Sequence, residues 1–159
     1  MTPTFLGNID LLQRDKVAYF CSRNYAPKAV LASYDWATAQ RDKVVISTFH
    51  SPLEKDVLDF LLRNHQPVIY VLPARMYKRV PPRFQSALDA GHLLFVSLQP
   101  DNQYRYSQHN ANQATRYILD LAAEIVFGSI ATGSHSEQIY QSLDKSTKRT
   151  LVLCPQNNE

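Results

Sequence analysis

The sequence predicts a three-layer α/β/α fold on a mainly parallel sheet of about six strands. Three observations lead there. Short apolar runs rich in Val, Ile and Phe alternate with longer segments of helical period, the pattern of repeated βα units. Those runs are nearly continuous rather than alternating, as strands covered on both faces require. Several helical segments open on a capping Ser or Asn just after a strand, which crowds strand ends and helix starts along one edge.

In chain order, residues 7–27 (GNIDLLQRDKVAYFCSRNYAP) read as a short acidic-capped helical turn, a buried strand over 17–21 and a polar Ser22-Arg23-Asn24 tip. Further strands are expected over 44–47, 68–72, 93–97, 125–127 and 150–154, and helices over 28–40, 52–63, 82–90, 111–122 and 135–143. The helix over 52–63 is the best specified, because Leu53, Val57, Phe60 and Leu61 recur at i, i+4, i+7 and i+8 and lay one apolar stripe. Its start is equally clear: Ser51 supplies a cap, Pro52 fits the first helical position and Glu54 completes a capping box. Asn110 with Gln113, and Ser134 with Glu137, repeat the capping pattern for the last two helices. Residues 73–82 (PARMYKRVPP) read as a loop because they hold three prolines. The tail after Pro155 is expected to fray, which leaves residues 1–159 as one domain with 155–159 loose at its end.

Hydrophobic residues at 45% and charged residues at 19% exclude a disordered chain. No apolar run approaches the roughly 20 residues of a membrane helix, and the N-terminus lacks the basic start and apolar core of a secretory signal. A cytoplasmic protein without membrane partners is the expectation. Cys21 and Cys154 show no C-x-x-C spacing and no neighbouring His, so they read as two reduced, half-buried thiols, with no metal site and no cofactor. The net charge of +3 permits phosphate-bearing partners without requiring them. Its distribution is more telling, since Arg75, Lys78, Arg79 and Arg83 cluster with Tyr77 and Phe84.

Polar tips at the carboxyl ends of strands are where open α/β sheets bind ligands, and helix N-termini at the same edge favour anions. Arg23 offers a fork of donors suited to phosphate, and Ser22 either donates to the same group or closes the turn. At the second tip, ISTFHSPLE, Ser51 and Glu54 serve as a helix cap that still leaves N–H groups for an anion. His50 is an acid, base or donor near neutral pH or a structural residue, and Phe49 either stacks on a base or packs in the core.

These segments also resemble a known family. The stretch 7–27, then ISTFHSPLEKDVLDFLL, PVIYVLPARM, ATRYILDLAAEIVFG and TGSHSEQIYQSLDKSTKRTLVLCP, is similar in order and spacing to the Rossmann-like domain of the DNA-processing protein A (DprA/Smf) family. In that family a G-N-x-x-L-L lead-in precedes a strand ending in G-S-R. Here Cys21 stands for the Gly, while Ser22 and Arg23 match. Of the family's S-G-x-A-x-G-I-D motif Ser47 remains, Thr48 replaces Gly, and Phe49, His50 and Ser51 follow. Of its R-N-R motif Arg116 remains, behind Ala114 and Thr115.

The resemblance implies a Rossmann-like fold with a ligand site formed by Ser22, Arg23, Ser47, Thr48, His50, Ser51, Gly133 and Ser134. Arg75, Lys78, Arg79 and Arg116 would add a nucleic-acid-binding surface. The expected function is DNA-processing-related binding of a nucleotide or single-stranded DNA through phosphate, by a binder more than an enzyme. The same superfamily holds phosphoribohydrolases resembling lysine decarboxylases, whose P-G-G-x-G-T-x-x-E motif is half matched by Gly133, Ser134 and Glu137. Its P-G-G half reads Ser129, Ile130, Ala131, and the helix Arg of that branch falls on Ala114. A hydrolase of nucleoside monophosphates using Glu137 is therefore one alternative, and a protein-interaction subunit without a ligand is another. Self-association through an edge strand or the Tyr-rich segment 104–117 is a further expectation.

Overall fold

The computed structural model describes residues 2–155. Most of the 155–159 stretch expected to fray lies outside the described residues. Strand β1 (Thr4–Gly7) leads through a 3-10 turn (Ile9–Gln13) to β2 (Lys16–Phe20), α1 (Lys28–Thr38), β3 (Val44–Ser47), α2 (Pro52–Arg63) and β4 (Val68–Arg75). A 3-10 turn (Pro82–Phe84) runs into α3 (Gln85–Asp89), followed by β5 (Leu93–Gln99), α4 (Gln108–Leu121), β6 (Glu124–Ser129), α5 (His135–Ser142) and β7 (Arg149–Cys154).

The seven strands lie in the order β1-β5-β4-β3-β2-β6-β7. Six are parallel, as expected, and β1 is an added antiparallel edge on β5, pairing Thr4 with Ser97 and Gly7 with Leu94. β1 escaped the sequence reading because it has four residues, mostly exposed, with no apolar run to mark it. Gly7 ends it at φ 120°, where a side chain would collide with the Leu93 carbonyl.

Both faces of the sheet are buried. Val17, Tyr19 and Cys21 face a core completed by Trp36 of α1, Leu53, Val57 and Leu61 of α2, and Phe84. Ala18 and Phe20 face the opposite core, completed by Ala114 and Ile118 of α4 and Ile139 of α5. That division explains the continuous hydrophobicity of β2, since every position has an apolar layer to meet.

Three sequence boundaries change. β4 continues through Pro73 to Arg75 with a register shift between Leu72 and Arg75, so the expected loop begins later. The bulge accommodates the missing proline N–H. The helix expected over 82–90 divides into a 3-10 turn and the short α3. α4 begins at Gln108, because Ser107 and not Asn110 is the cap; the Ser107 hydroxyl accepts the Asn110 N–H at 3.1 Å. Ser134 caps α5 as expected, accepting the Glu137 N–H at 3.1 Å.

Candidate functional site

From β2 the chain order runs one way through β3, β4 and β5, and the other way through β6 and β7. The strand ends at such a reversal splay apart and leave a crevice. A cleft of about 500 Å³ opens there, between the tips after β2, β3 and β6. The starts of α2, α4 and α5 supply Ser51, Gln108 and Ser134 to its wall. Phe20, Ala111 and Ile139 give it an apolar side.

The β2 tip is tied to the β6 tip. The Ser22 N–H donates to the Ser129 carbonyl at 3.0 Å, and the Ser22 hydroxyl accepts the Ala131 N–H at 2.8 Å. The Ser22 and Ser134 hydroxyls share a 2.9 Å hydrogen bond. These contacts give Ser22 its turn-closing role and place its oxygen in the cleft wall at once.

The β3 tip is tied to β2 by Glu54. Its carboxylate accepts the N–H of Cys21 at 2.9 Å, of His50 at 2.9 Å and of Ser51 at 3.4 Å. The last of these is the capping-box contact foreseen from the sequence; the other two extend it across strands. Burial pushes the Glu54 carboxyl above its usual range, while the three backbone N–H groups pull it back down. Burial, reinforced by the Glu54 charge, pushes the Cys21 thiol up to about 12. Cys21 is 2% exposed and is a free thiol, as is the half-buried Cys154.

One wall of the cleft comes from the Tyr-rich segment that, with an edge strand, was one of two expected routes to self-association. Tyr106, just before α4, stacks on His50 with ring centroids 4.3 Å apart and planes parallel. Burial first, then the positive charges of Lys55 and Arg23, hold His50 below the usual imidazole range. It is therefore a neutral aromatic partner near neutral pH.

The expected site residues separate into two groups. Ser22, Arg23, Thr48, His50, Ser51, Gly133 and Ser134 all line the cleft. Arg23 is exposed on its rim, and among the described residues it enters no ion pair. Gly133 adopts φ 77° with open space where a side chain would stand. Ser47 does not line the cleft: it is fully buried and its hydroxyl accepts the Phe49 N–H at 3.0 Å, which shapes the tip from below.

The nucleic-acid candidates also diverge. Arg75 donates to the Asp101 carbonyl at 3.2 Å and its guanidinium lies 5.5 Å from the Tyr104 ring, outside the cleft lining. Lys78 and Arg79 are exposed on the following loop, outside the cleft lining. Arg83 pairs with Asp59 at 3.1 Å. In α4 it is Thr115 that reaches the cleft, and Arg116, one residue on, is exposed away from its lining. Glu137 likewise stays outside the lining, its carboxylate accepting the Gly133 N–H at 3.0 Å. Tyr106, Thr115 and the cross-strand reach of Glu54 were missed, because each depends on which loops meet in space.

No protein-family model and no curated protein sequence matches the chain. Solved structures do. DNA processing protein A from Streptococcus pneumoniae superposes with a TM-score of 0.78 at 16% identity over 94% of this chain. The chain has a DprA-like fold. DNA processing protein A from Helicobacter pylori, described for its single-stranded DNA binding mode, gives 0.76 at 18% identity over 99% of this chain. The chain spans 54% of the S. pneumoniae structure and 74% of the H. pylori one. In this chain the Cys21 N–H at the end of β2 is taken up by the Glu54 carboxylate. Among the described residues no group of His, Cys, Asp and Glu could hold a metal, and no helix is long and apolar enough to cross a membrane.

Proposed function

We propose that the chain binds single-stranded DNA or a nucleotide through phosphate, with Arg23 as the principal contact. The observation that carries this reading is an exposed guanidinium without an ionic partner, at the rim of a cleft formed where the sheet order reverses. A planar fork of donors suits phosphate oxygens. The hydroxyls of Thr48 and Thr115, with the one proton left over from the Ser22–Ser134 pair, add neutral donors around it. The single-stranded DNA described for the H. pylori neighbour is consistent with this ligand class. The hydrolase alternative gains nothing from the geometry, since Glu137 is engaged with Gly133 outside the lining.

Fluorescence anisotropy with a labelled oligothymidylate tests the reading. Affinity falls steeply as salt rises, and Arg23→Ala weakens binding about tenfold or more, the weight of a charge-assisted contact. A thermal-shift series with nucleoside monophosphates covers the smaller ligand. Salt-independent binding, or binding of neither ligand, would end the reading.

A further inference from the structure

We infer that the Glu54 carboxylate is a built-in anion, seated where a phosphate or carboxylate from outside would otherwise bind, so that the protein holds the α2 side of its own cleft closed to anions. The inference rests on the phosphate-binding reading above and adds to it a self-occupied seat that competes with the ligand. Three observations carry it.

First, the two carboxylate oxygens divide between two strand tips. Oε2 accepts the Cys21 N–H at 2.9 Å, and Oε1 accepts the N–H groups of His50 at 2.9 Å and Ser51 at 3.4 Å. Backbone N–H groups that converge where a strand ends and a helix starts are the donors with which proteins hold phosphate. Those of His50 and Ser51 are spent on Glu54, and Pro52 after them has no N–H to offer.

Second, Glu54 is 5% exposed and, among the described residues, enters no ion pair. A buried carboxylate is ordinarily matched by a cation. Here backbone dipoles surround it instead, as they surround an anion bound at a helix start.

Third, the seat opens on the cleft, for Cys21, His50, Ser51 and Glu54 all line it. Ser51 is 8% exposed, and its hydroxyl has no hydrogen-bond partner. A buried hydroxyl in that state is a donor in want of an acceptor. An anion that replaced the carboxylate would supply one.

Removing the carboxylate turns the seat into a site. In Glu54→Ala, sodium formate restores the missing group. The melting temperature rises by about 3–6 °C at saturating formate, against sodium chloride at equal ionic strength. The amide resonances of Cys21, His50 and Ser51 move together in proton–nitrogen correlation spectra. Oligothymidylate binds Glu54→Ala about tenfold more tightly than wild type, the value of one freed charge-assisted contact. A Glu54 that served only as a clamp would instead lose affinity as the tips loosened. Wild type shows no formate response. Asp56→Asn, which removes an equal charge from an exposed position on the same helix, shows neither that response nor that gain. Glu54→Gln keeps the side-chain volume and carries the test should Glu54→Ala fail to fold, since the gain in oligothymidylate affinity is expected there too. In a protein that binds oligothymidylate through Arg23, a folded Glu54→Ala without formate response, or no gain in either variant, would overturn the seat and leave the phosphate reading standing. A formate response without oligothymidylate or nucleotide binding by any variant would uphold the seat and remove the phosphate reading.

Discussion

The carboxylate of Glu54 accepts the backbone N–H of Cys21 at 2.9 Å, so a side chain in the first turn of α2 clamps the end of β2. The two residues lie 33 apart in sequence and meet where the cleft begins. With the N–H groups of His50 and Ser51 also engaged, Glu54 fixes two strand ends against one another.

Glu54→Gln tests the clamp. An amide has one accepting oxygen and would turn its NH2 toward a backbone donor, leaving buried N–H groups unsatisfied. Urea unfolding should show a loss of about 1–3 kcal/mol. Glu54→Ala, which removes both oxygens, should cost at least as much.

Acidity should reveal the same group. Burial raises the native Glu54 carboxyl above its unfolded range, so between the two values the native state holds the proton more firmly. Stability contributed by this group is thus full below about pH 4 and falls as pH rises through the raised native value. Urea midpoints across that window should flatten in Glu54→Gln.

His50 has the opposite sign. Its native value is lowered by burial and by Lys55 and Arg23, so its share of stability is present above about pH 6.5 and is lost as pH falls toward that lowered value. A bound phosphate would offset the two cations and lift His50. Oligonucleotide affinity should therefore increase as pH falls through this range, and His50→Gln should abolish the slope.

Phe49 sits at φ 46° with its ring fully buried, edge-on to Tyr70 at 5.3 Å. Phe49→Ala loses the ring and should cost about 3–5 kcal/mol. Phe49→Gly loses the same ring and relaxes the left-handed backbone, which for a residue with a side chain costs roughly 1–2 kcal/mol. The Gly variant should therefore be the more stable of the two by thermal denaturation, reversing the usual order.

Thiol labelling gives a further check. A Cys21 thiol held up to about 12 is almost wholly protonated at neutral pH and is buried besides. Ellman's reagent should react with one thiol of the native protein, Cys154, and reach Cys21 only after unfolding.

The parallel sheet was legible because β2, β3, β4, β5 and β6 each carry apolar residues on both faces, a pattern few other arrangements produce. The α2 cap was legible because Ser51, Pro52 and Glu54 satisfy local rules within four residues. β1 was not, since antiparallel pairing with β5 depends on residues about ninety positions away. The cleft was half legible. Ser22, Arg23 and Ser134 belong to strand ends, which sequence order places, whereas Tyr106 and Thr115 reach it through the path of α4 across the opposite face. Ser47 misled because its match to a motif says nothing of direction, and its hydroxyl turns inward to the Phe49 N–H.

The cleft lies on the seam between two separate cores, with α2 rooted in one and α5 in the other. An occupant touching both Ser51 and Ser134 would act as a rivet through the sheet edge, joining layers whose helices belong to separate cores. Backbone amides near both helix starts would then exchange hydrogen more slowly together, although they belong to opposite faces of the molecule.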